Sequence, residues 1–202
     1  MRHLEPWTAG ELSSPSFGSG SCRDVGGGDG AHGALVRAPV APRVDAATLA
    51  ELRAPEVAAA LAEVGIELPE DSELASLQAE YFERLLHPKD SAPPIASLWM
   101  DGQYQGDSAV VLRRIAEASG WEYQPAAADG APMDHLGSIL LLWCECTETA
   151  PDLANLIAFQ HLTWVDRALA DTSARDGFYA QVCRATAALG AQLCEAAEPP
   201  AE

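Results

Sequence analysis

Residues 136–147 constrain the fold more than any other part of the sequence. Apolar residues recur there at positions i, i+3, i+4 and i+7, beginning at Leu136 and ending at Trp143, which is the stripe of an α-helix that packs against a core. Leu141 and Leu142 widen the stripe until little polar face remains. The sequence therefore predicts a central, largely buried helix.

The five residues before this helix, 131–135, predict how it begins. Pro132 disfavours the continuation of any earlier helix, and Asp134 has the short acceptor side chain that suits an N-cap. The pair Asp134 and His135 should then lie at the mouth of a buried helix, where both side chains can face solvent or a ligand.

The rest of the chain from residue 45 onward shows helical spacing and helix caps. The additional predicted helices cover residues 46–54, 55–65, 72–86, 108–119, 153–169 and about 174–196. Two long loops flank the helix at 108–119. The loop 88–106 precedes it, and the loop 121–133 separates it from the central helix. No alternating strand or hairpin signal is present. The sequence thus predicts an all-α, single-domain bundle of about six to eight helices over residues 45–196.

The two ends of the chain have a different composition. Residues 1–44 are rich in Gly, Ser and Pro and predict a disordered leader, and residues 197–202 predict a disordered tail. The glycine cluster at 26–30 is not a phosphate-binding loop, because it lacks the Gly-Lys-Ser/Thr ending and no strand precedes it.

The chain is strongly acidic, with 30 acidic against 12 basic residues and a net charge of −18. Such a surface repels nucleic acid and anionic membranes and attracts a basic partner, although solubility alone is an equally good reason for it. No apolar run approaches the roughly 20 residues of a membrane span, and the N-terminus lacks a secretory core. The expected location is the cytoplasm.

The sequence does not predict an enzyme, a metal site or a cofactor. No two of its five histidines have a metal-ligand spacing, and no nucleophile elbow is present. Cys144 and Cys146 point to different faces of their helix, so they do not form a metal site. Asp134, His135 and His161 could be arranged for acid–base chemistry, but structural roles for them are favoured.

A peptide-binding groove agrees better with the aromatic and acidic residues. Leu98, Trp99 and Trp164 can line it with the loop prolines, and Asp101, Asp107 and Asp134 can supply negative charge beside it. For a single tryptophan, burial in the core remains the favoured alternative.

From about residue 74 to residue 193 the chain resembles the TorD/DmsD family of redox-enzyme maturation chaperones, particularly its DmsD-like branch. The order and spacing of several short motifs carry this resemblance. They are Glu80-Tyr81-Phe82-Glu83-Arg84-Leu85-Leu86, Ala92-Pro93-Pro94, Ser97-Leu98-Trp99-Met100-Asp101, Gly106-Asp107-Ser108, Pro132-Met133-Asp134-His135-Leu136-Gly137-Ser138, His161-Leu162 with Trp164, and Phe178-Tyr179. The chain departs from the branch at Ile95, where an aromatic usually follows Pro-Pro, and at Leu86-His87-Pro88, where a Gly-Pro-type turn is usual.

The resemblance implies an all-helical cytoplasmic chaperone that is not an enzyme. Such proteins bind the twin-arginine leader, or the body, of a molybdenum-cofactor oxidoreductase subunit, and they hold back Tat export until the cofactor is inserted. The leader-binding region carries over to Leu98, Trp99, Asp101, Asp107, Ser108, Asp134, His135, His161 and Trp164. We expect Asp134 and Asp107 to pair with the leader arginines, and Leu98 and Trp99 to receive its apolar stretch.

Other interpretations stay open at this point. One is a nitrate-reductase-type assembly chaperone that binds the client body and not the leader. The others are a helical scaffold without a ligand and a small enzyme that uses His135 or His161. A monomer and a domain-swapped dimer are both compatible with the sequence.

Overall fold

The computed structural model describes residues 44–86, 93–123 and 131–199. These residues form nine α-helices and no strand, which confirms the predicted all-α class. The helices are α1 Ala46–Leu52, α2 Pro55–Glu63, α3 Leu74–Tyr81, α4 Ala96–Met100, α5 Asp107–Ser119, α6 Leu136–Thr149, α7 Pro151–His161, α8 Val165–Ser173 and α9 Phe178–Ala196. A 3₁₀ turn, Asp71–Glu73, precedes α3, and a π-helical turn, Phe82–Leu86, continues it.

One extra helix arises because the segment predicted as 153–169 is broken. Its first part, α7, ends at His161, and α8 begins at Val165. The indole Nε1 of Trp164 donates to the carbonyl oxygen of His161 at 2.7 Å, which satisfies one of the carbonyls exposed at the end of α7. Leu162 and Trp164 are both fully buried in this turn. A continuous helix has the same apolar spacing, so the break was not visible in the pattern.

The second extra helix, α4, lies inside the segment predicted as a long loop. Ala96 and Ser97 are buried in it, and Trp99 is half-buried with its indole Nε1 donating to the carbonyl oxygen of Pro93 at 3.0 Å. An aromatic side chain next to an aliphatic one is seldom left in solvent, and the partial burial of Leu98 and Trp99 agrees with this.

The predicted central helix is confirmed. Along α6, Leu136, Ile139, Leu140 and Leu142 are at most 2% exposed, and they form the middle of the larger apolar cluster. Helix α6 packs mainly on α7, and α8 packs on α9. A second cluster joins the N-terminal helices to the beginning of α9.

The predicted helix caps are partly correct. Asp45 caps α1, since its side chain accepts a hydrogen bond from the Thr48 N–H at 2.7 Å, and Gly120 ends α5 in the left-handed conformation at φ 75°. Asp134, however, is not the N-cap of α6. That role belongs to His135, whose Nδ1 accepts from the Gly137 N–H at 3.2 Å. Asp107 is the first residue of α5 and not its cap.

The predicted leader lies outside the described residues, apart from Val44. That residue is 1% exposed and belongs to the second apolar cluster. Near the other end, Asn155 binds Glu198 through two hydrogen bonds of 2.7 and 2.9 Å, so this part of the predicted tail packs on α7. Across the three described ranges, no helix combines the length and apolarity that a bilayer crossing requires.

Candidate functional site

The segment before α4 is hydrogen-bonded to the beginning of α6. Ile95 and His135 form an antiparallel bridge, in which the Ala96 N–H donates to the Asp134 carbonyl and the Leu136 N–H donates to the Pro94 carbonyl, both at 2.8 Å. The Asp134 side chain is 0% exposed, and its Oδ2 accepts from the Ser97 N–H at 3.1 Å. Asp134 therefore holds α4 against α6.

The turn between α4 and α5 is held by Asp101. Its Oδ2 accepts from the Ser108 N–H at 2.8 Å and its Oδ1 accepts from the Ser108 hydroxyl at 3.0 Å. This carboxylate satisfies an orphan N–H group at the N-terminus of α5, where negative charge is also favoured by the helix dipole. A Cβ at Gly106 would lie 2.5 Å from Asp101 Oδ2, so only glycine leaves room for the contact.

Several buried polar atoms around α4 have no hydrogen-bond partner among the described residues. They are Ser97 Oγ, Asp134 Oδ1, and both ring nitrogens of His161. Burial lowers the pKa of His161, while the charge of Asp101 acts in the opposite direction. We call Ser97, Asp101, Ser108, Asp134 and His161 the polar cluster. Buried polar atoms are usually paired, so this concentration is unusual for a purely structural core.

His135 lies beside the polar cluster as the N-cap of α6. Burial lowers its pKa to about 4, against the opposing charge of Asp134. The imidazole is therefore neutral near pH 7, which its geometry also requires, because Nδ1 must carry a lone pair to accept from the Gly137 N–H. A neutral imidazole carries no negative charge that could pair with a basic ligand, and its Nδ1 already accepts a hydrogen bond from the Gly137 N–H.

His135 also lines a cavity of about 40 Å³, together with residues of α3, α6, α8 and α9. Its lining is mostly apolar, and Leu85 and His135 are its partly exposed residues, while the others are buried. The Thr186 hydroxyl, 2% exposed, has no hydrogen-bond partner, and burial raises the pKa of the Cys183 thiol to about 12. That thiol is therefore not a nucleophile near neutral pH.

An exposed apolar surface lies around the α4–α5 turn. Among the described residues six large apolar side chains are exposed, and four of these belong to residues 100–111. The four are Met100 (40%), Tyr104 (56%), Val110 (43%) and Val111 (36%), and we call them the apolar patch. Asp107, also exposed, has no hydrogen-bond or ion-pair partner in the described part of the chain.

The structure brings some of the predicted site residues together and buries several of them. Asp101 contacts Ser108, Asp134 adjoins His135, and Trp164 contacts His161. Leu98 and Trp99 are half-buried, whereas Asp101 and Asp107 are exposed. Ser108, Asp134, His161 and Trp164 are at most 5% exposed, so none of these four presents its side chain to solvent.

Sequence reasoning missed Ser97 and the apolar patch. The apolar residues of the helix predicted at 108–119 favour burial of Val111 with Leu112 and Ile115, but Val111 is exposed. The buried face of α5 consists of Ser108, Ala109, Leu112, Ile115 and Ala116. The spacing of that face places Val110 on the opposite side of the helix, whereas Val111, three residues after Ser108 and four before Ile115, lies at the edge of the face and is not excluded by spacing.

The described residues contain no group of three or more His, Cys, Asp or Glu side chains arranged to hold a metal ion. All four cysteines in these residues are free thiols.

The model of the nitrate reductase delta subunit family matches residues 46–167, which is more than half of the chain. The fold is similar to the crystal structure of a protein from Archaeoglobus fulgidus assigned to redox enzyme maturation. The TM-score is 0.54 at 17% identity, over 86% of this chain and 96% of that one. At this identity the likeness shows a shared fold. No curated protein matches the sequence significantly.

Proposed function

The chain belongs to the nitrate reductase delta subunit family, and from this membership we propose that it is a redox-enzyme maturation chaperone. The family consists of maturation chaperones and not of enzymes, in agreement with the prediction that this chain is not an enzyme. We further propose that it binds the twin-arginine leader of a molybdenum-cofactor oxidoreductase subunit in the cytoplasm and holds back Tat export until the cofactor is inserted. A place in the DmsD-like branch remains a prediction.

The apolar patch beside Asp107 is the observation that carries the leader-binding proposal. Exposed apolar residues concentrated in one part of a surface typically mark an interaction site. A twin-arginine leader combines two guanidinium groups with an apolar segment. Asp107 offers an unpaired carboxylate for the first, and the side chains around Met100 and Val110 offer apolar area for the second.

The charge of the whole chain supports the same ligand. A net charge of −18 attracts a basic segment at long range and raises its association rate. Because exposed charges are screened by salt, this contribution decreases as ionic strength rises.

The buried members of the predicted site have a positioning role in this proposal. Asp134 holds α4 through Ser97, and Asp101 holds the beginning of α5 through Ser108. Together they fix the two helices that carry the apolar patch. Trp164 and His161 are hydrogen-bonded at the turn between α7 and α8, and Trp164 belongs to the larger apolar cluster together with Ala96 of α4 and Leu112 of α5.

Calorimetric titration with a synthetic twin-arginine leader and its twin-lysine variant tests the proposal. We expect Asp107→Asn to weaken binding of the arginine form by about two- to fivefold at low salt, equal to the ~0.4–1 kcal/mol of an exposed ion pair. Asp152→Asn is the matched control, since Asp152 is also an exposed aspartate in the first turn of a helix. Val110→Ser should weaken binding as well, whereas Phe159→Ser, at another exposed apolar residue, should not.

Equal effects of Asp107→Asn and Asp152→Asn would remove Asp107 from the leader site, and equal effects of Val110→Ser and Phe159→Ser would remove the apolar patch from it. If neither the twin-arginine leader nor its twin-lysine variant binds the unmodified protein, leader recognition is ruled out altogether.

A second candidate function follows from the name of the matching family, which refers to nitrate reductase. In this alternative the chain is a nitrate-reductase-type assembly chaperone that binds the client body. Titration with a client subunit that lacks its leader separates the two candidates. Tight binding of that subunit, with no binding of the isolated leader, would favour the client-body function.

A further inference from the structure

The exposed face of α5 carries a negative and a positive charge on either side of two valines. Asp107 is the first residue of the helix, and Arg114 lies seven residues later, which is about two turns. Both side chains therefore lie on the same side of α5, and both are exposed. Val110 and Val111 are exposed between them, each of them three or four residues from either charge.

The Arg114 side chain is available to a binding partner. Its guanidinium has no hydrogen-bond or ion-pair partner among the described residues, whereas Arg53 and Arg84 are ion-paired within the fold. Glu117, three residues further along α5, does not pair with it. In a chain with a net charge of −18, an exposed arginine that finds no carboxylate within the fold can accept one from a ligand.

We propose that Arg114 determines which segments the apolar patch accepts, by pairing with an acidic side chain that follows the leader arginines. The inference rests on the proposed leader-binding function, in which Asp107 pairs with an arginine of the leader. The surface of α5 presents a negative charge, two valines and a positive charge. The complementary segment has a positive charge, an apolar stretch and a negative charge in that order.

The positions of Asp107 and Arg114 set the spacing in the bound segment. Seven residues of α-helix correspond to about 10.5 Å along its axis. An extended peptide rises about 3.3 Å per residue, so about three of its residues cover this distance. In a leader that lies extended along α5, we therefore expect the acidic side chain at the third or fourth position after the arginine that binds Asp107.

Arg114 also acts against other segments. A basic side chain at the same position would lie beside the guanidinium, and such a juxtaposition of like charges disfavours binding. A leader bound in the reverse direction would place its arginines beside Arg114 and its carboxylate beside Asp107. The two charges of α5 therefore fix the direction of the bound segment as well as its composition.

The test uses three twin-arginine leader peptides that carry Glu, Gln or Lys at the third position after the second arginine. Each is titrated calorimetrically into the unmodified protein, Arg114→Glu and Arg113→Glu. The last variant is the matched control, because Arg113 is also exposed and has no ion-pair partner among the described residues. It makes the same change in charge about 100° away around the helix.

At low salt we expect the unmodified protein to bind the Glu peptide about two- to fivefold more tightly than the Gln peptide, and the Lys peptide more weakly by a similar factor. The net charge of −18 favours the Lys peptide, so it does not produce this order. Arg114→Glu should reverse the order, and Arg113→Glu should retain it.

Two outcomes would overturn the role of Arg114 while leaving leader recognition intact. One is equal binding of the three peptides by the unmodified protein, and the other is the same order of affinities in Arg114→Glu. If none of the three peptides binds the unmodified protein, leader recognition itself fails and the inference fails with it. The two failures are therefore distinguishable.

Discussion

The neutral His135 cap makes the stability of this protein depend on pH between the folded and unfolded pKa values of its imidazole. The folded pKa is about 4, against 6.5 for an unperturbed imidazole. Three effects oppose its protonation: burial, the positive end of the α6 dipole, and the hydrogen bond that Nδ1 accepts from the Gly137 N–H. Because the folded pKa is lowered, the stabilisation is present above pH 6.5 and is lost as the pH falls towards 4.

The magnitude follows from the difference between the two pKa values. Between pH 7 and pH 5 the unfolded chain takes up most of one proton at His135, while the folded chain takes up little. The corresponding loss in the free energy of unfolding is about 2 kcal/mol. Because the ring is partly exposed, we expect a loss of about 1–2 kcal/mol. For a domain of this size that is a decrease in Tm of about 2–8 °C.

His135→Asn isolates this effect, because asparagine is a good N-cap that does not titrate. Urea unfolding of both proteins gives the difference in their free energies of unfolding at each pH. The carboxylates are common to both proteins, so their contribution largely cancels. Between pH 7 and pH 5 we expect the unmodified protein to lose about 1–2 kcal/mol more of its free energy of unfolding than the variant loses. Between pH 7 and pH 8 we expect the difference between the two proteins to be constant. A difference that does not change between pH 7 and pH 5 would refute a neutral, buried imidazole.

Two further predictions concern the turns that shape the site. Gly106→Ala should lower the free energy of unfolding by about 1–3 kcal/mol, because its Cβ displaces the Asp101 carboxylate from the N-terminus of α5. Chemical denaturation checks this, and the same loss in an Asp101→Gly background, which lacks the side chain that the new Cβ would meet, would contradict the stated cause. Trp164→Phe should cost about 1–3 kcal/mol, since it leaves the buried His161 carbonyl without the indole donor. An unchanged denaturation midpoint would show that this hydrogen bond does not stabilise the α7–α8 turn.

The features that the sequence predicted correctly depend on neighbouring residues. The apolar stripe of α6 is a local spacing, and both Asp45 and Gly120 act within one turn of their own position. Such signals are contained in short windows of sequence, so they can be read without knowing the tertiary structure. The all-α class follows from several signals of this kind and does not depend on any one of them.

The features that were missed depend on contacts between distant segments. A pattern of apolar residues at 153–169 is the same for one helix as for two helices separated by a turn, and what distinguishes them is the packing of that turn, where the Trp164 indole donates to the His161 carbonyl. The role of Asp134 likewise depends on Ser97, 37 positions earlier in the chain. A short polar side chain before a helix suits an N-cap, but it suits a buried contact with another segment equally well.

The burial of Asp134 changes how an acidic residue next to a predicted binding region should be interpreted. A carboxylate that is 0% exposed cannot meet a leader arginine unless α4 moves away from α6, and the backbone pairing of Ile95 with His135 opposes that movement. Asp107 has the complementary properties, because it is exposed, unpaired among the described residues and located beside the apolar patch. In the proposed leader site we therefore expect direct charge recognition from Asp107, and we expect Asp134 to act indirectly, by fixing the helix that leads into that surface.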